Sequence, residues 1–178
     1  MSPSSSSGRG TELSRIELAL QPRHLLAQWQ RCGLTADWLA SYLACDLETG
    51  EQASAKNVLS TVINELLENA VKFSADGADT FKVAVRREHR IVRVETWNRA
   101  VEHRSRLLEQ TLAELEVDSA QALFLRRMAQ PAVVGAPGIG IIVVRRDYGA
   151  RIHASVTPAD SGTTDVHVSV DLELPGPA

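Results

Sequence analysis

The chain has 178 residues, 44% of them hydrophobic and 23% charged, with a formal net charge of −3. That length suits one domain with its own core, and the balance of apolar and charged residues excludes a disordered or low-complexity protein. The small negative charge gives no bulk attraction to nucleic acid or to an anionic membrane, and no apolar run is long enough to cross a bilayer.

Residues 1–11, opening Met1-Ser-Pro-Ser-Ser-Ser-Ser-Gly, read as a flexible tail without the apolar core of a signal peptide. Residues 12–178 read as a single domain, with the cytoplasm as the expected compartment. Cys32 and Cys45 lack metal-site spacing and read as reduced thiols. Residues 16–20 alternate apolar and polar as a half-buried strand does, and Pro22 closes the strand. Two short helices are expected next, at 25–31 and 36–43, separated by Gly33, with Trp29, Trp38 and Tyr42 as core anchors.

Residues 53–73 carry the clearest helical pattern: no Gly or Pro interrupts them, and apolar residues recur at helical spacing until Ser74-Ala-Asp-Gly77. Phe81, Val83 and Val85, then Ile91, Val92 and Val94, predict a hairpin turning at 87–90. Its Arg86, Arg87, Arg90 and Arg93 are expected to form a solvated strand face.

From 101 to 130 the pattern is helical again, with Leu107, Leu108, Leu112 and Leu115 as one stripe and Phe124 and Met128 on a second helix. Asp118 or Ser119 is the expected N-cap between them. Gly135-Ala-Pro-Gly-Ile-Gly140 is a turn-rich loop. Residues 141–144 fit a strand by β-branching and a helix by the Arg145, Arg146 and Gly149 that follow; both stay open. Residues 151–156 and the alternating Val166, Val168, Val170 and Leu172 predict a closing hairpin. The sum is an α/β (α+β) two-layer sandwich, its sheet mostly antiparallel and its helices on one face.

Glu65, Asn69 and Lys72 stand at i, i+4 and i+7, within roughly a 60° sector of the long helix. They border the apolar stripe of Leu59, Val62, Leu66, Ala70 and Phe73. An amide oxygen suits Mg²⁺, which takes few protein ligands and keeps water and phosphate as the rest. An ammonium neutralises phosphate, and a carboxylate can take a hydroxyl proton. The plainer reading of the same face is a surface helix with a routine Glu68–Lys72 ion pair. Gly138 and Gly140 flank Ile139 and would let backbone N–H groups approach an anion. No Walker A or GxGxxG pattern is present.

The run Asn64-Glu-Leu-Leu-Glu-Asn-Ala-Val-Lys-Phe73 resembles the N-box of GHKL (histidine-kinase-like) ATPases, and Gly138-Ile-Gly140 resembles their G2 box. Its Glu65-x-x-x-Asn69-Ala70 form is similar to that of the small serine/threonine kinases of bacterial partner switching, the anti-sigma-factor and SiaB types. The likeness covers about residues 53–174 and implies a Bergerat-type ATP-binding fold with a mixed, mostly antiparallel sheet. It also implies that 141–148 is helical and that the region 101–130 is a lid. By the same resemblance Asn69 would coordinate Mg²⁺, Glu65 would be the general base, Lys72 would contact phosphate, and Gly138, Ile139 and Gly140 would wrap the phosphates of ATP. The implied partner is a STAS-domain protein, with homodimerisation common among such kinases.

One place departs from the family. Where an Asp-x-Gly-x-Gly box normally holds adenine, the chain reads Val94-Glu-Thr-Trp-Asn-Arg-Ala-Val101. Asn98 either hydrogen-bonds the adenine amino group or ends a strand in a turn. His24 lacks the His-Glu-x-x-Thr-Pro context of a sensor kinase's phosphoacceptor. The sequence therefore supports a Mg-ATP-dependent serine/threonine kinase acting on a STAS partner. The alternative is a degenerate GHKL module that sequesters a protein without catalysis, and an ATPase whose lid couples hydrolysis to shape change is a third reading.

Overall fold

The computed structural model describes residues 12–129, 139–159 and 162–174. The elements in chain order are β1 (Glu12–Leu20), α1 (Pro22–Ala27), α2 (Gln30–Ala44), α3 (Thr49–Phe73), β2 (Phe81–Glu88) and β3 (Ile91–Val101). They continue with α4 (Glu102–Val117), α5 (Ala120–Ala129), α6 (Ile139–Tyr148), β4 (Arg151–Pro158) and β5 (Thr163–Glu173). The five strands form one sheet in the order β1-β2-β3-β5-β4.

Every neighbouring pair is antiparallel, so the expected mixed sheet is corrected to a wholly antiparallel one among the described strands. The reason lies in the connections. β2–β3 and β4–β5 are hairpins, and the packed pair α2 and α3 returns the chain to the end where β1 finished, setting Leu20 opposite Phe81.

Val83, Val85, Val92, Val94, Val168, Val170 and Leu172 point to the helical layer and are buried. α3 lays Leu59, Val62, Ile63, Leu66, Leu67 and Ala70 on them, and Ile141 and Val144 of α6 join the same cluster. The other sheet face carries a ladder of cross-strand pairs: Arg93 with Asp171, Arg99 with Asp165, and Trp97 stacked on His167 at 4.7 Å. Opposite charges directly across antiparallel strands stabilise the pairing and leave that face to water.

Several expectations change. Gly33 does not separate short helices: α2 runs through it, and the break falls at Gln28, whose backbone leaves helical values. A mid-helix glycine costs only about 1 kcal/mol relative to alanine, which burial of Cys32 and Ala36 on either side outweighs. Pro22 does not merely end a strand; it opens α1.

Trp29, Trp38 and Tyr42 are not core anchors but are 36%, 52% and 48% exposed. The inward face of α2 is set by Cys32, Ala36, Leu39 and Leu43, which leaves Trp38 and Tyr42 on the far side. The arginine run is not simply solvated either. Arg87 is buried near Asp46, and Arg90 donates to the Leu174 carbonyl oxygen at 3.0 Å.

Residues 141–144 are helical, between Gly140 in the first turn of α6 and Gly149 at φ +61° after it. Tertiary burial of Ile141, Ile142 and Val144 overrides β-branched propensity here. Ser119 caps α5 through Ala122 N–H at 3.2 Å, whereas Asp118 ends α4 and pairs with Arg126.

Candidate functional site

α3 carries Glu65, Asn69 and Lys72 along one edge, and α6 begins beside it. The two helices touch where Gly140 meets Glu65. A Cβ added at Gly140 would stand 1.8 Å from Glu65 Oε2 and 2.9 Å from the carboxyl carbon. No side chain fits there unless the carboxylate moves. The glycine of the sequence-predicted turn and the carboxylate of the sequence-predicted helix, 75 positions apart by number (140 − 65), are thus in contact. Ile139 begins α6 and is half-buried; Gly138 lies outside the described residues.

Burial, and then the charge of Glu68, push the Glu65 carboxyl above its ordinary range, against the pull of Lys72. Glu68 behaves oppositely. Burial raises it as well, but hydrogen bonds from Lys72 at 2.8 Å and Asn64 at 2.9 Å outweigh that and hold it below the usual range. The routine Glu68–Lys72 pair expected from spacing is therefore present. It turns Lys72 along α3, with its Nζ also 5.1 Å from the centre of the Trp29 ring.

Asn69 and Asn98 face one small cavity of about 30 Å³ between α3, β3, β5, α6 and α4. Asn98 does not end a strand in a turn. β3 runs on to Val101, with Asn98 opposite Val166 and only 8% exposed. The side-chain nitrogens of both Asn69 and Asn98 are buried without a hydrogen-bond partner. Buried amide nitrogens are rarely left so, and two of them on one cavity mark a place built to hold a polar group. Apart from Arg104, the rest of the lining is apolar or neutral: Leu66, Ala70, Thr96, Leu108, Val166 and Val168 among others.

Sequence reading expected a lid within 101–130 but did not single out its residues. Ser105 and Leu108, one turn apart on α4, close the cavity, and Arg104 ties α4 down by donating to the Lys72 carbonyl oxygen at 2.9 Å. Their i, i+3 spacing was visible, but nothing local says that this helix rather than another lies over Asn98. Thr96 could have been found, since it alternates with Asn98 on the inward face of β3.

The chain shares its fold with a chain of the SiaB–SiaC complex from Pseudomonas aeruginosa. The superposition has a TM-score of 0.61 and covers 92% of each chain, at 14% sequence identity. The SiaB–SiaC likeness is one of fold. No protein-family model and no curated protein matches the sequence.

The side-chain oxygen of Asn69 is a donor type that Mg²⁺ accepts. Among the described residues no three His, Cys, Asp or Glu side chains converge to cage a cation. The cavity is a different matter. About 30 Å³ is the room of one water molecule, far below the several hundred Å³ of a small-molecule pocket. A purine would fit between Asn69 and Asn98 only with Ser105 and Leu108 displaced. Among the described residues no helix is long and apolar enough to cross a membrane.

Proposed function

We propose that this chain is a Mg-ATP-dependent protein serine/threonine kinase of the GHKL kind, acting on a STAS-domain partner in bacterial partner switching, with α4 as the lid. The observation that carries the reading is the contact between the Glu65 carboxylate and Gly140. It joins a carboxylate raised by burial to the first turn of a helix, one turn from the half-buried Asn69. The shared fold with a chain of the SiaB–SiaC complex supports the partner-switching setting.

Mg-ATP would supply the phosphoryl group and the neutralising cation. Asn69 would give its side-chain oxygen to the metal, and Lys72 would turn from Glu68 to phosphate oxygens. Glu65 would accept the proton of a partner's hydroxyl as that oxygen bonds to phosphorus and the bond to the departing ADP oxygen breaks. A carboxylate made more basic by burial suits that task near neutral pH.

The test is calorimetric titration with Mg-ATP, wild type beside Asn69→Ala, followed by phosphotransfer to a STAS protein, wild type beside Glu65→Ala. Mg-dependent binding lost in Asn69→Ala, and transfer reduced at least about a hundredfold in Glu65→Ala, are expected. Transfer by Glu65→Ala equal to wild type would remove the proposed base.

A second reading is favoured by the small size of the cavity: a non-catalytic module of the same fold that sequesters a protein partner. It predicts no Mg-ATP heat with wild type and partner binding unchanged in Asn69→Ala.

A further inference from the structure

We propose that Asn64, Glu68 and Trp29 form a holding site for the Lys72 ammonium, giving this lysine two positions. It lies back along α3 on Glu68 and Trp29 when no polyphosphate is bound, and moves to the polyphosphate when one is. This rests on α3 being the Mg-ATP helix and adds two residues that compete with the ligand for the lysine.

The holding site is a fixed acceptor with a mobile donor. Glu68 has both oxygens committed, Oε1 to Asn64 Nδ2 at 2.9 Å and Oε2 to Lys72 Nζ at 2.8 Å. The Trp29 indole, close by, also favours the ionised form of this carboxylate. Glu68 therefore has little freedom to follow the ammonium if it leaves. Its side chain is 19% exposed, against 46% for Lys72.

Trp29 completes the site from a different helix. The chain leaves helical geometry at Gln28 and resumes α2 at Gln30, and Cys32 N–H bonds the Trp29 carbonyl oxygen at 3.0 Å. That junction sets the indole 5.1 Å from Lys72 Nζ. A half-exposed ion pair and a surface cation–π contact are each weak, so several phosphate oxygens can draw the lysine away.

The charged groups facing Lys72 are Glu68 and, a turn further back along α3, Glu65, while Arg104 bonds its main-chain oxygen rather than its amine. Once the lysine leaves, the Glu68 charge stays beside the site and works against a polyanion. Glu68 thus sets how much phosphate charge is needed before Lys72 moves.

The experiment uses the full chain with Trp38→Phe and Trp97→Phe, so that Trp29 is the remaining indole. Lys72→Met is expected to shift Trp29 emission in the ligand-free protein. Saturating Mg-ATP should move the emission of the protein that keeps Lys72 toward the Lys72→Met value and leave the Lys72→Met protein unchanged. Glu68→Gln should tighten Mg-ATP binding roughly twofold.

Emission indifferent to Lys72→Met, or a Glu68→Gln protein that binds Mg-ATP no better than wild type, overturns the holding site while leaving the kinase reading standing. If Mg-ATP does not bind at all, the kinase reading fails and inorganic tripolyphosphate with Mg²⁺ replaces it as the probe. Trp29 emission that neither polyanion moves overturns the holding site too.

Discussion

Glu65 and Glu68 stand one turn apart on α3, yet their surroundings drive them in opposite directions. Glu65 presses on Gly140 with burial raising its carboxyl, and Glu68 is held ionised by Lys72 and Asn64. For a carboxyl whose folded-state value is raised, the protonated form is favoured by folding. The cost of its buried charge is full above the folded value and gone below the unfolded one. Glu65→Gln is therefore expected to raise the melting temperature at about pH 8 and to lose that advantage at about pH 4, near the ordinary carboxylate range. Melts that show Glu65→Gln destabilised at the higher pH would mean that burial does not dominate this group. The i, i+4 relation of Glu65 to Asn69 and the ion pair of Lys72 were legible because helical spacing fixes them. Trp29 was not, because its place beside Lys72 depends on how α1 and α2 meet.

At the scale of elements, α2 shows what periodicity misses. The sequence marks its aromatic residues as the heavy apolar ones, but a helix buries a face rather than its largest side chains. Leu39 and Leu43 lie fully in that face, whereas Trp38 is 52% exposed. Leu43→Ala is expected to cost about 2–5 kcal/mol, while Trp38→Ser stays within about 0.5 kcal/mol. Chemical denaturation of both variants checks this, and a Trp38→Ser loss as large as that of Leu43→Ala would put Trp38 in the core. Long α3 and the two hairpins were legible because uninterrupted apolar spacing and strand alternation are local signals. The helical state of 141–144 was not decided by its own residues; α3 and α5 packing on α6 decides it.

Across the whole molecule the sheet divides the chemistry, with an apolar face under the helices and an ionic ladder facing water. Arg93 and Asp171 are its most developed rung, two hydrogen bonds in cross-strand register. The Arg93 hydrogen bond holds the Asp171 carboxyl below its usual range, against burial. A depressed carboxyl contributes stability above its unfolded value, and loses it as pH falls through the folded one. With Arg93 38% exposed, screening limits the effect, so Asp171→Asn is expected to cost about 1 kcal/mol at neutral pH. That difference should vanish in acid, and urea titrations at the two pH values measure it; a cost that persists in acid would come from packing instead. Strand alternation made the two faces legible, but not the strand order, which the return of α2 and α3 imposes. Nor could it show that β3 continues unbroken through Asn98 where a glycine loop was the family expectation.

That unbroken strand has a kinetic consequence. With β3 and β5 as floor and α3 and α6 as walls, α4 is the element of the described lining that closes from outside, and Arg104 is its latch. A molecule larger than a water would fill the space between Asn69 and Asn98 only as α4 lifts, although Asn98 also borders the open groove beside Trp97 and Thr157. Arrival would become independent of concentration once encounters outpace the lifting, making this helix the clock of whatever the cavity receives.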